Sequence, residues 1–222
     1  MPNIVILISG RGSNMEALLD ARLDCVVSAV ISNNPAAGGI EFARRAGIPT
    51  VVVDHKLFPT RVAFDDALCK VILSHQPDWV VLAGFMRVLS AGFIGAFPNR
   101  ILNIHPSLLP AFPGLNTHER ALQAGVKIHG ATVHLVTPEL DNGPIIAQAA
   151  VPVLADDSAA SLAARVLRQE HILYPAVLRQ LLANQVEYSA AADGTVLRTL
   201  PRDVNANTAT TRADAALRVP WT

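Results

Sequence analysis

The sequence predicts an α/β fold with a mostly parallel, twisted sheet that carries helices on both faces. Short, continuous apolar segments alternate with amphipathic ones through the first hundred residues. Such segments are typical of strands that helices cover on both sides. Hydrophobic residues make up 51% of the 222 positions, enough to bury a sizeable core. Neither an internal repeat nor a separating linker interrupts the pattern, so two independent domains are not expected.

The first half of the chain carries five predicted strands and three predicted helices. The strands are Ile4 to Ser9, Cys25 to Ser32, Thr50 to Val53, Trp79 to Ala83 and Ile101 to His105. The helices are Asn14 to Ala21, Glu41 to Ala46 and Val62 to Ser74. The expected apolar stripe of the third helix is Val62, Leu68, Ile72 and Leu73. Ligands of parallel sheets bind beyond the carboxyl ends of the strands, so a site is expected in the loops after Ser9, Ala83 and Ile104.

The second half of the chain has a different pattern. Its predicted strands are Lys127 to Leu135 and Ile145 to Val153. A long helix is predicted from Ser158 to Ala183, with Pro175 inside it. A β-hairpin around Asp193-Gly194 is predicted from the segments Val186 to Ser189 and Thr195 to Leu200. Residues 203–222 lack periodicity and are interpreted as a mobile or loosely packed tail.

Charge and cysteine content exclude several classes of function. Lys and Arg together number 18, and so do Asp and Glu, so nothing suggests binding to nucleic acid or to a membrane surface. Cys25 and Cys69 are too few for a disulfide framework or a Cys-rich zinc site, and they are expected to be reduced and buried. The histidines share no metal-ligand spacing, so no metal site is predicted. The first residues lack the features of a signal peptide or a membrane span, which favours a cytoplasmic location.

A glycine-containing turn, residues 9–14, joins the first strand to the first helix. The free N–H groups at such a helix start favour an anion. A dinucleotide fingerprint would need a third glycine at position 15, which is Met15, and no Gly-Lys-Ser/Thr of a phosphate loop follows. The turn therefore fits a single phosphate better than NAD or ATP. A plain strand-to-helix turn capped by Ser13 or Asn14 is the structural alternative.

Polar residues at the end of a buried strand are the strongest candidates for catalysis. Alternation places Asn103 and His105 on the same face of the fifth strand, where unpaired polar groups would be costly. Asp141 lies in a turn, and beside His105 it would orient the imidazole and stabilise its protonated form. The structural alternative is that Asp141 is an ordinary aspartate of a turn. Glu170 lies within the long helix, where a solvated face is the usual position.

Taken together, these segments resemble the glycinamide ribonucleotide formyltransferase family over about residues 3 to 185. The longest matching stretches are ILISGRGSN (residues 6–14), VLAGFMRVL (81–89) and NIHPSLLP (103–110). Shorter ones are PGL (113–115), ELD with GP (139–144), and QEH with YP (169–175). The stretch from Asn103 to Pro110 is shared with other folate formyl-transferring enzymes, whereas the turn at Gly12 points to glycinamide ribonucleotide.

The resemblance implies two small-molecule substrates, glycinamide ribonucleotide and the co-substrate 10-formyltetrahydrofolate. Gly12, Ser13 and Asn14 would hold the ribonucleotide phosphate, and Glu170 would contact the glycinamide end. The residues implied to surround the folate are Arg61, Met86, Arg87, Val88, Leu89 and Asn103. The fold implied is formyltransferase-like, with a Rossmann-like N-terminal half. Residues 1–202 would form a single domain with a nucleotide-phosphate half (1–100) and a folate and catalytic half (101–202).

The implied reaction is direct attack of the substrate amine on the formyl carbon. Asn103 and protonated His105 would stabilise the charge on the formyl oxygen, and Asp141 would assist His105. Two positions depart from the family pattern. Asn116 replaces a histidine found in some relatives and has no assigned role, and Asn142 replaces a small residue and affects the shape of its loop.

The nearest alternatives are two other enzymes that use 10-formyltetrahydrofolate: methionyl-tRNA formyltransferase and formyltetrahydrofolate hydrolase. The first normally carries an added C-terminal domain and a basic surface, and the second an N-terminal regulatory domain. Chain length and balanced charge favour neither. A nucleotide-binding or NAD-linked protein on the same sheet is the alternative from another class. The sequence leaves open whether the protein is a monomer or a homodimer.

Overall fold

The computed structural model describes residues 1–183 and the strand segments 186–191, 194–199 and 218–219. Its strands are β1 (Asn3–Ile8), β2 (Val26–Ser32), β3 (Thr50–Val52), β4 (Trp79–Leu82), β5 (Ile101–His105), β6 (Ile128–Leu135), β7 (Ile145–Pro152), β8 (Val186–Ala191), β9 (Gly194–Thr199) and β10 (Arg218–Val219). Its α-helices are α1 (Ser13–Asp20), α2 (Gly39–Arg45), α3 (Arg61–Ser74), α4 (Ala91–Ala96), α5 (Thr117–Gln123) and α6 (Ala159–Leu182). A short 3-10 helix, His55–Leu57, follows β3.

Eight strands form one sheet in the order β3-β2-β1-β4-β5-β6-β7-β10. The first five are parallel, and β6, β7 and β10 continue the sheet in antiparallel pairings. The prediction of a mostly parallel α/β sheet is therefore confirmed. None of the helices in the described part of the chain is long and apolar enough to cross a membrane.

Strand β1 shows how the sequence produces two core layers. Ile4, Ile6 and Ile8 join the layer that also holds buried residues of α1, α2 and α6. Val5 and Leu7 point to the opposite layer, which is shared with α3 and α4. Successive strand side chains alternate between faces, so a continuous apolar run is required when both faces are covered.

The structure corrects the predicted stripe of α3. Val62 and Leu73 are 55% and 49% exposed, whereas Phe64, Leu68 and Ile72 are buried. These three are spaced by four residues and therefore lie on one side of the helix. Leu68 and Ile72 of the predicted stripe are therefore confirmed, whereas the helical repeat turns Val62 and Leu73 away from the sheet.

The expected burial of the two cysteines is also corrected. Cys25 and Cys69 are free thiols, as expected, but they are only half-buried, at the margins of the two core layers. Partial burial raises the pKa of both thiols, with a smaller contribution from neighbouring aspartates.

The ends of the second-half elements follow local signals. Ser158 caps α6 through a reciprocal capping box with Ser161, and Pro175 lies inside the helix. The predicted hairpin is confirmed by the antiparallel pairing of β8 with β9, while its turn at 192–193 lies outside the described residues. Of the predicted tail, Arg218–Val219 pairs with β7, and the other residues lie outside the described part.

The strand order fixes where a ligand binds. From β1 the chain moves to β2 and β3 on one side, and then returns to place β4 and β5 on the other side. A crevice opens at such a reversal, beyond the carboxyl ends of the two central strands. Here it lies between the turn after β1 and the segment after β4.

Candidate active site

The turn after β1 forms one wall of a cavity of about 540 Å³. Gly12 precedes α1 with φ of +83°, and no side chain caps that helix end. A Cβ on Gly12 would lie 3.0 Å from the Cα of Gly39, so the backbone conformation and the close packing both favour glycine. The uncapped N–H groups at this helix start suit an anion. The cavity is large enough for a small ligand, since such sites span about 300–1,000 Å³.

The charged side chains that line this cavity are all cationic. Arg11, Lys56 and Arg87 line it, together with His55, and its lining contains no carboxylate. The whole protein carries a formal net charge of zero, so this local excess of cations is a property of the site. A concave surface with charge of one sign concentrates ligands of the opposite sign. The cavity is therefore suited to an anionic substrate such as a phosphate ester.

Asn14 and Glu170 are joined across 156 residues of sequence. The Asn14 side-chain amide donates a 2.7 Å hydrogen bond to Glu170 Oε2, where α1 packs on α6. Glu170 is only 7% exposed, so the expectation of a solvated position for it is wrong. Burial raises the pKa of the Glu170 carboxyl, and the bond from Asn14 opposes that effect. The Asn14 side chain therefore joins the start of α1 to α6 and does not cap its own helix.

A second cluster surrounds His105 at the end of β5. Its Nδ1 lies 3.4 Å from Asp141 Oδ2, and its Nε2 lies 3.0 Å from the carbonyl oxygen of Phe112. Asp141 Oδ2 also accepts a 2.8 Å hydrogen bond from the backbone N–H of Gly114. Both ring nitrogens face oxygen atoms, an arrangement that suits an imidazole carrying two protons. Tertiary structure thus brings the predicted His105 and Asp141 together.

His134 orients the third member of the cluster. Its Nδ1 lies 2.9 Å from the carbonyl oxygen of Leu135, which assigns the proton to that nitrogen. Its Nε2 then accepts from the Asn103 amide at 3.1 Å and lies 3.9 Å from Asp141. Burial lowers the pKa of His134, so the ring stays neutral and keeps this acceptor. The Asn103 amide is thereby fixed, with one N–H remaining for another partner.

Sequence reasoning did not single out His134. It lies in a part of β6 that is buried on both faces, and its partner is set by the antiparallel register that places it opposite Asn103. That register is a long-range property.

Among the described residues, no group of three or more histidine, cysteine or acidic side chains is arranged to hold a metal ion.

The family follows from a comparison with known proteins. Residues 2–178 match the model of the formyl transferase family. The chain belongs to this family. It is 52% identical over 180 residues to the phosphoribosylglycinamide formyltransferase of Escherichia coli, covering 79% of this chain and 85% of that protein. It is 47% identical over 188 residues to the human trifunctional purine biosynthetic protein adenosine-3, covering 83% of this chain and 19% of that longer protein.

Solved structures of formyl transferases have the same fold. The glycinamide ribonucleotide transformylase 1 of Symbiobacterium toebii superposes with a TM-score of 0.86 at 46% identity, covering 90% of this chain and 95% of that one. The phosphoribosylglycinamide formyltransferase of Brucella melitensis gives a TM-score of 0.78 at 53% identity, covering 82% and 96%. The formyltransferase-like fold implied by the sequence is confirmed.

The residues implied to bind folate occupy three different places in this formyl transferase. Arg87, Val88 and Leu89 line a smaller cavity together with Asn103, His134 and Asp141. Met86 is 70% exposed and lines the larger, cationic cavity instead. Arg61 is exposed at the first turn of α3 and lines neither of these two cavities. Arg87 lines both, so the two cavities adjoin at this residue.

The two positions that depart from the family pattern have local structural roles. Asn116 precedes α5 with φ of +55°, a left-handed conformation that Asn tolerates better than most residues. The Asn142 amide donates to the Glu139 carboxylate within the loop that carries Asp141. The next residue, Gly143, approaches β6 so closely that a Cβ would lie 1.7 Å from the carbonyl oxygen of Leu135. The loop therefore accommodates Asn142 while its contact with the sheet depends on glycine.

Proposed function

We propose that this formyl transferase transfers the formyl group of 10-formyltetrahydrofolate to the amine of glycinamide ribonucleotide, a step of purine synthesis. The observation that carries the proposal is the contact of His105 with Asp141 at the edge of a cavity that adjoins the cationic cavity through Arg87. The sequence similarity to enzymes named for this reaction supports it.

The ribonucleotide occupies the cationic cavity. Its phosphate binds the backbone N–H groups of Gly12, Ser13 and Asn14, at the uncapped start of α1. The glycinamide end reaches Glu170, which Asn14 holds in place. No acidic group lines the cavity, so the phosphate meets no like charge there.

The folate ring occupies the smaller cavity. Leu82, Val88 and Leu89 supply apolar walls, and the loop from Thr137 to Asp141 supplies polar ones. Apolar walls combined with several polar groups suit a flat heterocycle that hydrogen-bonds at its edge. Arg87 stands between this ring and the ribonucleotide.

The substrate amine is the nucleophile. As it attacks the formyl carbon, negative charge develops on the formyl oxygen, and the free N–H of Asn103 donates to it. His105 donates from Nε2, after the formyl oxygen replaces the Phe112 carbonyl that this nitrogen faces in the present structure. Asp141 balances the charge of the imidazolium. When the tetrahedral intermediate collapses, the bond between the formyl carbon and folate N10 breaks and N10 takes the Nε2 proton of His105. The neutral imidazole then takes up the proton that the attacking nitrogen loses, so tetrahydrofolate leaves and His105 is protonated again. This is the role we assign to each member of the cluster.

We also propose that residues 1–202 act as one domain, because β1 to β7 share a single sheet, and that the protein is cytoplasmic. The active site lies where the nucleotide-phosphate half (1–100) meets the folate and catalytic half (101–202).

A spectroscopic turnover assay tests the function. Purified protein is mixed with 10-formyltetrahydrofolate, with and without glycinamide ribonucleotide. Folate consumption that requires the ribonucleotide is the expected result. Consumption without it would indicate a hydrolase, and no consumption by folded protein would refute both substrates.

A further inference from the structure

The hydroxyl of Ser9, at the end of β1, makes two short hydrogen bonds in opposite directions. It accepts a 2.7 Å bond from the backbone N–H of Met86 and donates a 2.6 Å bond to Asn33 Oδ1. A serine hydroxyl has one proton to donate and can accept as well, so the two contacts use both capacities at once.

Ser9 lies at a junction of four strand ends. Asn33 follows β2 and is 3% exposed. Its carbonyl oxygen lies 2.8 Å from Nδ1 of His55, a residue that follows β3. The Asn34 amide donates to the Ser9 carbonyl oxygen at 3.2 Å. Met86 belongs to the loop after β4. The Ser9 side chain therefore connects that loop to the β1–β2–β3 side of the crevice.

The loop held by Ser9 is the one that lines both cavities. We call Met86–Leu89 the folate segment. The backbone N–H of its first residue, Met86, donates to the Ser9 hydroxyl, and its second residue, Arg87, lines both the cationic and the smaller cavity. Met86 is 70% exposed, so side-chain burial contributes little to holding this end of the segment.

We propose that Ser9 is a positioning residue that fixes the folate segment relative to the glycine-containing turn after β1. This inference rests on the proposed function, because it assigns the folate to the cavity that the segment lines. Ser9 acts through the Met86 backbone and does not touch the reacting atoms. Losing its hydroxyl loosens the segment and weakens folate binding, whereas the chemical step at His105 stays intact once both substrates are bound.

The test compares Ser9→Ala with Ser28→Ala. The Ser28 hydroxyl is a matched control because it is part-buried in the same sheet and donates to the Ile4 carbonyl oxygen, away from the crevice. In Ser9→Ala, the Kd for tetrahydrofolate is expected to rise about five- to tenfold, as for the loss of one hydrogen bond. Saturated kcat should stay within about twofold. Ser28→Ala should change neither quantity, and Ser9→Thr, which keeps the hydroxyl, should bind more tightly than Ser9→Ala.

Hydrogen exchange supplies a readout that is independent of folate. The peptide containing Met86 should exchange faster in Ser9→Ala than in the parent and in Ser28→Ala. Ser9→Cys, with a weakly bonding thiol, takes the place of Ser9→Ala if the latter does not fold. Exchange at Met86 that is unchanged, or a Kd within twofold of the parent, would overturn the proposal. A parent protein that binds no tetrahydrofolate would refute the proposed function, and the exchange comparison would still decide whether Ser9 holds the segment.

Discussion

Replacing Glu170 by glutamine is expected to stabilise the protein at neutral pH and to weaken ribonucleotide binding. The side chain is 7% exposed, and its one hydrogen bond in the described part of the chain comes from the Asn14 amide. Glutamine has nearly the same shape, and its oxygen can still accept that bond. The change therefore removes an ionisable group while leaving the packing of α1 against α6 in place.

The sign of the stability effect follows from the raised pKa of Glu170. Its pKa in the folded protein lies above the ordinary value of 4.5 because burial disfavours the charged form. The folded state consequently holds this proton more tightly than the unfolded chain does. The free energy of unfolding is greatest at pH values below the pKa that Glu170 has in the unfolded chain, and it falls as pH rises through the higher pKa that Glu170 has in the folded protein. Each unit of pKa elevation costs about 1.4 kcal/mol once both states are ionised.

Urea unfolding at several pH values between about 4 and 8 measures this difference. The free energy of unfolding of Glu170→Gln, relative to the parent, should increase with pH by up to about 1.4 kcal/mol per pH unit. Glu41→Gln, at an exposed position in the first turn of α2, is the matched control and should show no such trend. The KM for glycinamide ribonucleotide should rise in Glu170→Gln. A stability difference that does not vary with pH would refute the reasoning.

Three further substitutions test the cluster and its support. His105→Ala should lower kcat about 10²- to 10³-fold, the usual loss for an oxyanion donor, while the Kd for tetrahydrofolate stays close to that of the parent; near-normal turnover would remove His105 from the mechanism. Asp141→Asn should lower the rate and change its pH profile, because an amide does not balance an imidazolium charge, so an unchanged profile would exclude this role. Tyr174→Phe removes a fully buried hydroxyl placed 2.9 Å and 3.0 Å from the carbonyl oxygens of Leu82 and Leu102. It should lower stability by about 1–3 kcal/mol and the Tm by about 2–4 °C for each kcal/mol, and an unaltered Tm would contradict the assigned contact.

Local patterns were enough to predict most of the elements. Continuous apolar runs gave β1, β2, β4 and β5 within a residue or two, because a strand buried on both faces needs apolar side chains at nearly every position. The glycine-containing turn after β1 is equally evident from sequence, since Gly12 and the helix start that follows it are neighbours in the chain. The buried face of an amphipathic helix is harder to predict from sequence. In α3 that face includes Phe64, whereas Val62 is exposed to solvent.

Local sequence is enough to place Asn103 and His105 on one face at the end of a buried strand, because alternation along a strand is a local property. Their contact partners depend on how the chain folds. Folding brings Asp141 to His105 and sets His134 against Asn103 through the register of β5 with β6. It also buries Glu170 against Asn14, although the surroundings of Glu170 in sequence resemble a solvated helix face. These contacts join residues that are 31 to 156 positions apart in the chain. A local sequence pattern specifies which helix or strand a segment forms, whereas the packing of these elements against one another determines which side chains meet.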